Sequence, residues 1–142
     1  MVDRLKTETE ATIVLLSLAP ITEAPDHPGY KKAALYSSII KKVALEKNVS
    51  YLPLYEKMDT ILRQQNPAAQ SDFDGYERSL LYKAIFYHHV AGYSWDEVST
   101  VNEFMLQTDN IHLNRRGSMM IADLIDEFLR NDYSQKPAKI VH

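Results

Sequence analysis

The chain has 142 residues, of which 45% are hydrophobic and 25% are charged, and its formal net charge is −3. This length suits one domain, and the composition is that of an ordinary soluble globular protein. The net negative charge argues against a nucleic-acid binder, because such a protein needs a basic face. The absence of cysteine excludes a disulfide framework, a cysteine zinc site and a thiol nucleophile.

Neither a membrane span nor a secretory signal is visible in the sequence. The longest apolar run, Ile13–Leu16 extended by Leu18 and Ala19, is far shorter than the about 20 residues that a spanning helix requires. No basic segment followed by an apolar one opens the chain. We therefore expect no membrane span and a cytoplasmic location for the chain as given, unless a missing N-terminal half carries a signal.

The first half of the sequence predicts a βαβ unit. Residues 1–10 are polar and resemble the end of a helix, and the apolar run Ile13–Leu18 predicts a strand that is buried on both faces. After a proline-containing loop, apolar residues at three- and four-residue steps predict a helix over Gly29–Asn48, with Tyr36 on its inner face. Val49–Leu54 reads as a second short strand. Two strands joined by a single helix are expected to be parallel.

The second half predicts four helices. The first two cover Tyr55–Gln65 and Tyr76–Val90, on either side of a polar loop. The inner face of the second of these should carry Leu80, Ala84, Ile85 and Tyr87. The segment Ser94–Glu97 has the form of a capping box, in which a serine and a glutamate three residues later bond to each other's backbone N–H groups. It should start a third helix, which carries Val98, Val101 and Met105 inward.

The last predicted helix covers Gly117–Arg130. Its apolar stripe consists of Met120, Ile121, Leu124, Ile125 and Phe128. Beyond it, residues 134–142 are expected to be a flexible tail, so the domain would cover residues 1–133. The whole pattern predicts an α/β fold with about two parallel strands and five or six helices.

Two short strands are too few for a stable sheet, which normally needs three or more. An apolar strand such as Ile13–Leu18 usually has a neighbour on each edge, since an open edge would pair with other chains. The pattern therefore predicts the latter part of a larger α/β sheet.

The best chemical constellation lies in the segment Thr108–Gly117. Asp109 and His112, three residues apart at the entry to a helix, can form a carboxylate–imidazole pair. The carboxylate would fix the tautomer of the ring and leave the other nitrogen free to act as a general base. On spacing alone, a structural reading stays open: Asp109 or Asn114 caps the last helix, and His112 is an ordinary side chain.

The residues Asp109, His112, Leu113, Asn114 and Gly117 resemble the last conserved block of SGNH hydrolases, the GDSL-type esterases and lipases, which reads Asp-x-x-His-Leu-Asn-x-x-Gly. The resemblance extends upstream over nearly the whole chain. The segments that resemble the family's fourth strand, next helix, fifth strand and pre-block helix are 13–20, 31–48, 49–54 and 94–97. It implies a three-layer, flavodoxin-like SGNH architecture, here incomplete.

The resemblance also implies roles for particular residues. His112 would be the general base that activates a serine, Asp109 would orient His112, and Asn114 and Gly117 would shape the turn into the last helix. Such an enzyme hydrolyses small-molecule carboxylic esters through an acyl-enzyme intermediate, and it uses neither a metal nor an organic cofactor.

The nucleophile and oxyanion blocks of the family are missing. The sequence contains no Gly-Asp-Ser, and its one Gly-Ser pair is Gly117-Ser118 in the last predicted helix. No Gly-x-Asn-Asp block is present either. The chain therefore resembles the C-terminal half of an SGNH hydrolase, and we expect the isolated chain to be inactive.

Three functions remain open. In the first, the chain is the esterase half just described, left by a truncation, an interrupted gene or a misplaced start codon, and the missing N-terminal half would join it through the strand Ile13–Leu18. In the second, it is a non-catalytic scaffold that pairs through the same open edge with a second copy or another partner. In the third, the Asp–His dyad acts alone on water or an unusual substrate.

Other candidate residues have simpler explanations. The serines that we considered as nucleophiles, each expected in a strand or helix rather than a strained turn, are Ser17, Ser37, Ser38 and Ser118. His88 and His89 are adjacent on a helix, so they point about 100° apart and do not form a metal-ligand pair. Aromatic residues between 76 and 95 are expected to pack, with some lining an acyl pocket in an intact hydrolase.

Overall fold

The computed structural model describes residues 1–65 and 78–135, which form a mixed, mostly helical α/β structure. Its elements in chain order are α1 (Val2–Glu8), β1 (Val14–Leu16), α2 (Pro28–Glu46), β2 (Ser50–Leu52), α3 (Leu54–Gln65), α4 (Arg78–His89), α5 (Trp95–Val101) and α6 (Arg115–Gln135). The α/β class expected from the sequence is therefore confirmed. The expected loop over 66–75, the start of α4 at Tyr76 and the tail beyond residue 135 lie outside the described residues.

The βαβ unit is confirmed. β1 and β2 pair in parallel, with Val14 opposite Ser50 and Leu16 opposite Leu52. The helix between them starts where His27 accepts the N–H of Gly29 at its Nδ1, 3.0 Å away, and Pro28 occupies the first helical position. Proline fits there because its missing N–H would have had no helical partner. Because the two strands are parallel, the loop after β1 lies at the carboxyl end of the sheet.

β1 is less buried than the sequence predicted. Its three residues are each partly buried, whereas we expected burial on both faces. Within residues 1–65 and 78–135, its single strand neighbour is β2. The expectation failed because an apolar strand is buried on both faces only where other elements cover each face of the sheet.

The core lies between the βαβ unit and α6. Its fully or nearly buried members are Tyr30, Ala33, Leu52, Leu54, Tyr55, Met58, Leu62, Leu106 and Leu124. Tyr30 and Tyr55 meet edge to face, with ring centroids 5.6 Å apart. The hydroxyl of Tyr30 donates to Asp59 over 2.6 Å, and burial together with this bond raises the pKa of Tyr30. An aromatic pair and a satisfied hydroxyl thus fix the packing of α2 against α3.

For several helices, the sequence predicted a wider buried face than the structure has. Four side chains expected to point inward are between 37% and 45% exposed, namely Tyr36, Ile85, Val101 and Ile125. Each lies at the edge of its helix's apolar stripe, where partial exposure is ordinary for an amphipathic helix.

The ends of the last two helices also differ from the expectation. α5 begins at the predicted capping box but ends at Val101, so Met105 lies in the following loop. The chain leaves the helix at Glu103, whose φ of 60° is left-handed. α6 begins at Arg115, before the expected Gly117, and continues through Ser134 and Gln135, which we had assigned to the tail. No helix of the described residues is long and apolar enough to cross a membrane.

Ser17 should stabilise the junction between β1 and α3. Its buried Oγ accepts the N–H of Tyr55 over 2.8 Å, and that N–H belongs to the first turn of α3, where helical partners are lacking. We expect Ser17→Ala to lower the free energy of unfolding by about 1–3 kcal/mol, because a buried donor loses its acceptor. Urea unfolding measures the change. The control is Ser38→Ala, an exposed serine of α2, which should change stability by less than about 0.5 kcal/mol. Equal midpoints for the two variants would contradict this assignment.

Candidate functional site

Asp109 and His112 lie in the loop between α5 and α6. The loop closes on itself through an isolated antiparallel bridge between Gln107 and Leu113. In addition, the N–H of Thr108 donates to the carbonyl of His112 over 2.8 Å. The turn between them is tight, and Asn110 adopts a left-handed φ of 75°. Asparagine tolerates this conformation better than most residues.

The Asp109 carboxylate bonds to both the backbone and the ring of His112. Its Oδ1 accepts the N–H of His112 over 2.9 Å and that of Ile111 over 3.3 Å. Its Oδ2 lies 2.8 Å from Nδ1 of the ring. Because a carboxylate can only accept, the geometry assigns the proton of the neutral ring to Nδ1 and leaves a lone pair on Nε2.

The two side chains differ sharply in exposure. The Asp109 side chain is 6% exposed, whereas that of His112 is 66% exposed. An acid that is buried and bonded to backbone N–H groups stays in place, while the exposed imidazole can reach a reacting group. The structure thus brings together the two residues predicted as a pair, in an arrangement suited to a general base. Their catalytic role stays a prediction.

Asn114 links the loop to both flanking helices. Its Oδ1 accepts the N–H of Gly117 over 3.0 Å at the start of α6. Its Nδ2 donates to Ser99 Oγ of α5 over 2.9 Å and to the carbonyl of Met105 over 3.0 Å. From the sequence, either Asp109 or Asn114 could cap the last helix. Asn114 forms the cap, and Asp109 bonds within the loop instead.

Gly117 permits a close approach of α6 to the loop. A Cβ atom at this position would overlap the carbonyl oxygen of Leu106 and touch the side chain of Leu113. The first turn of α6 therefore packs directly on the backbone that precedes Asp109. Gly117 and Asn114 together do shape the turn into the last helix.

An apolar cavity of about 350 Å³ lies beside the His112 ring. Its lining residues, drawn from α4, the start of α5 and the loop, are Leu81, Ala84, Ile85, Trp95, Thr108, Asp109, His112 and Leu113. Aliphatic and aromatic walls with a few polar groups at one end are typical of small-molecule sites. Trp95 belongs to the aromatic residues that the sequence predicted mainly to pack, with some lining an acyl pocket. The leucine and alanine walls on α4 were not predicted from the sequence.

Two of the serines considered as nucleophiles form hydrogen bonds elsewhere in the fold. Ser17 Oγ holds the N–H of Tyr55, and Ser37 Oγ accepts the N–H of Leu18 over 3.2 Å. Neither of these, nor Ser38 or Ser118, is among the residues that line the cavity beside His112. None of these four serine hydroxyls therefore lies in the cavity beside His112.

The adjacent histidines pack on Trp95. The ring of His88 stacks on the indole with centroids 3.8 Å apart, and His89 meets it edge-on at 6.2 Å. His88 Nδ1 also lies 2.7 Å from the carbonyl oxygen of Tyr93. Among residues 1–65 and 78–135, no three His, Asp or Glu side chains are grouped so that they could hold a metal ion.

Sequence reasoning missed Glu23, which the structure places under the site loop. Its side chain is buried, with 2% of the residue exposed, and accepts three backbone N–H groups at residues 105–107. The available signal was an acid in the loop after an apolar strand, a loop that also contains Asp26. Nothing local in the sequence connects it with a loop more than eighty residues away.

Asp109 should affect the turn and the ring in separable ways. We expect Asp109→Asn to keep stability within about 0.5 kcal/mol, because the remaining Oδ1 still accepts the two N–H groups. Asp109→Ala should cost about 1–2 kcal/mol, because both N–H groups lose their acceptor. Both variants should weaken the preference for a proton on Nδ1 of His112, which long-range ¹H–¹⁵N spectra of the ring nitrogens detect.

A matched control for these spectra is Asp123→Asn, which changes an exposed acid of α6 outside the loop. The control should leave the ring nitrogens of His112 unchanged. Identical His112 spectra in wild type and Asp109→Asn would show that the carboxylate does not hold the ring.

No family model, no curated protein and no solved structure matches this chain.

Proposed function

We propose that this chain provides the acid–base part of a serine ester hydrolase of the SGNH type. The observation that carries the proposal is the Asp109–His112 pair, with Oδ2 of the acid 2.8 Å from Nδ1 of a mostly exposed ring. The loop that bears the pair lies next to the loop that follows β1, since the N–H of Thr22 donates to the carbonyl of Asn110 over 2.7 Å. Sites at the carboxyl ends of parallel strands are the rule in α/β folds.

In this function His112 first accepts a proton and then donates the same proton. Nε2 takes the proton of a serine hydroxyl as the oxygen attacks the ester carbonyl, and Asp109 stabilises the resulting imidazolium. The same proton then goes to the departing alkoxide, which leaves an acyl-serine. A water molecule repeats the sequence, and the carboxylic acid and the free serine result.

The serine and the oxyanion donors come from residues outside these 142. The chain lacks the two sequence blocks that would supply them, and the serines considered lie away from the cavity. A single oxyanion donor is worth about 3 kcal/mol of transition-state stabilisation. The Asp–His pair alone is therefore a poor ester hydrolase, and the function requires a further polypeptide segment or a second chain.

The fold supports an incomplete three-layer architecture. β1 is only partly buried, and among the described residues it pairs on one edge only. Additional parallel strands on its other edge would complete the sheet and would bring their own carboxyl ends to the same side as the site. We expect the nucleophile to follow one of these strands.

The cavity beside His112 supports a substrate with an apolar group. The side chains of Leu81, Ala84, Ile85 and Leu113 form its wall, and Asp109 is the one acid among the described residues that line it. An acyl chain or aromatic ring would remove this surface from water, which favours binding in proportion to the area buried. A charged or sugar-like group placed against these four side chains would lose hydration without finding hydrogen-bond partners on them.

Labelling with a fluorophosphonate probe tests this function. The 142-residue chain alone should remain unlabelled, whereas a form extended by the residues encoded upstream should be labelled at a serine and should hydrolyse p-nitrophenyl esters. In the extended form, His112→Ala should lower kcat/KM by about ten-thousandfold or more, because the general base is lost. An extended form that is never labelled would contradict the proposal.

The control for that measurement is His89→Ala, an exposed histidine that packs against Trp95 rather than Asp109. Its kcat/KM should stay within a few-fold of wild type. Equal losses in His112→Ala and His89→Ala would show that the effect is structural and not the loss of a base.

The open edge also favours a second candidate, a non-catalytic scaffold that pairs through β1. Apolar side chains that are exposed after β1 and on α2 are Leu18, Ile21, Leu35, Tyr36 and Ile39. Such an apolar surface near a strand that pairs on one edge only, among the described residues, favours self-association.

Sedimentation at increasing protein concentration tests this pairing. Wild type should shift from monomer towards dimer, and Leu18→Lys should weaken the shift, because a charge must then be buried at the edge. The control is Leu129→Lys on α6, a leucine of similar exposure, 43% against 41%. A strict monomer at high concentration, or equal effects of the two lysines, would contradict edge pairing.

A further inference from the structure

Glu23 makes an unusual buried contact. It lies in the loop after β1, and its Oε1 accepts the N–H groups of Leu106 over 2.6 Å and Gln107 over 2.9 Å. Its Oε2 accepts the N–H of Met105 over 2.8 Å. One side chain thus satisfies three consecutive backbone donors just before Asp109.

Two further hydrogen bonds join the same loops. The side-chain Nε2 of Gln107 donates to the carbonyl of Pro20 over 2.7 Å. On the other side, the N–H of Thr22 donates to the carbonyl of Asn110. Thr22 has a left-handed φ of 64°, which is uncommon for a β-branched residue and persists where surrounding contacts enforce it. The loop is therefore attached to the strand end on both sides of Asp109.

Burying a carboxylate is costly, and the neighbours of Glu23 offset part of that cost. Burial raises the pKa of Glu23, while the three N–H groups and the positive charge of Arg116 act in the opposite direction. An apolar residue would avoid the cost of burial but would leave three N–H groups without acceptors. The charged side chain is thus suited to holding this backbone in one conformation.

We infer that Glu23 is a positioning residue for the Asp109–His112 pair: it fixes residues 105–107 against the end of β1 and so holds the acid at the distance that the imidazole needs. Its role in catalysis rests on the proposed function, but its effect on the ring can be measured without activity. Glu23 is not among the residues that line the cavity, and its hydrogen bonds to the loop go to backbone N–H groups, so it acts through the backbone.

Two variants test the inference in the 142-residue chain. In Glu23→Ala the amide protons of Met105, Leu106 and Gln107 should exchange with solvent about 10- to 100-fold faster, which corresponds to the loss of bonds to a charged acceptor. The ring nitrogens of His112 should then shift towards their values in Asp109→Asn. In Glu23→Gln, Oε1 keeps two acceptor contacts, so the exchange increase should be confined mainly to Met105 and the His112 shift should be smaller.

The control is Glu56→Gln, which alters an acid on α3 that accepts the Tyr51 hydroxyl over 2.9 Å. It should lower stability without moving the His112 signals. If folded Glu23→Gln gives His112 nitrogen shifts and Met105 exchange equal to wild type, the inference is wrong, even where Glu23→Ala does not fold. Equal His112 shifts in Glu56→Gln and Glu23→Gln would likewise overturn it.

Activity separates this inference from the proposed function. In the extended form, Glu23→Gln should lower kcat several-fold and leave KM nearly unchanged, because binding groups are not touched. If the extended form has no esterase activity while the His112 shifts follow Glu23 as described, the proposed function fails and the positioning role stands. If activity is present and kcat does not respond to Glu23, the positioning role fails and the function stands.

Discussion

The contact on which the site depends is the attachment of the loop before α6 to the loop after β1. Glu23 binds three backbone N–H groups there, and bonds from Thr22 and Gln107 flank it. These bonds connect the βαβ unit with the helical second half of the chain. The loop between α5 and α6 is otherwise held by its own turn, by Asn114 and by side-chain bonds from Ser99 and Asn102 at the end of α5. Placement of the Asp–His pair is therefore a long-range property of the fold.

Local features of the site could be predicted from the sequence because they depend on neighbours in the chain. The capping box at Ser94 forms with both of its hydrogen bonds. The three-residue spacing of Asp109 and His112 lets one carboxylate reach both the backbone and the ring. In the same way, the apolar run at β1 and the helical periodicity of α2 determine their own elements.

What could not be predicted depends on distant parts of the chain. The role of Glu23 requires a partner more than eighty residues away, so no window of sequence contains both. The partial burial of β1 depends on which elements pack over the sheet, and the end of α5 is followed by a left-handed residue at Glu103. Propensity and periodicity describe single elements and do not specify their neighbours.

The unequal exposure of Asp109 and His112 has a consequence for how the two positions change over evolutionary time. Asp109 serves the turn as well as the ring, so selection for a folded chain preserves it whether or not chemistry continues. The imidazole of His112 is mostly exposed, and the backbone bonds of its residue do not need it. In a lineage that lost the reaction, position 112 would change before position 109, and the aspartate would remain for its role in the turn. The residue at position 112 is therefore the better indicator of whether the chemistry is retained.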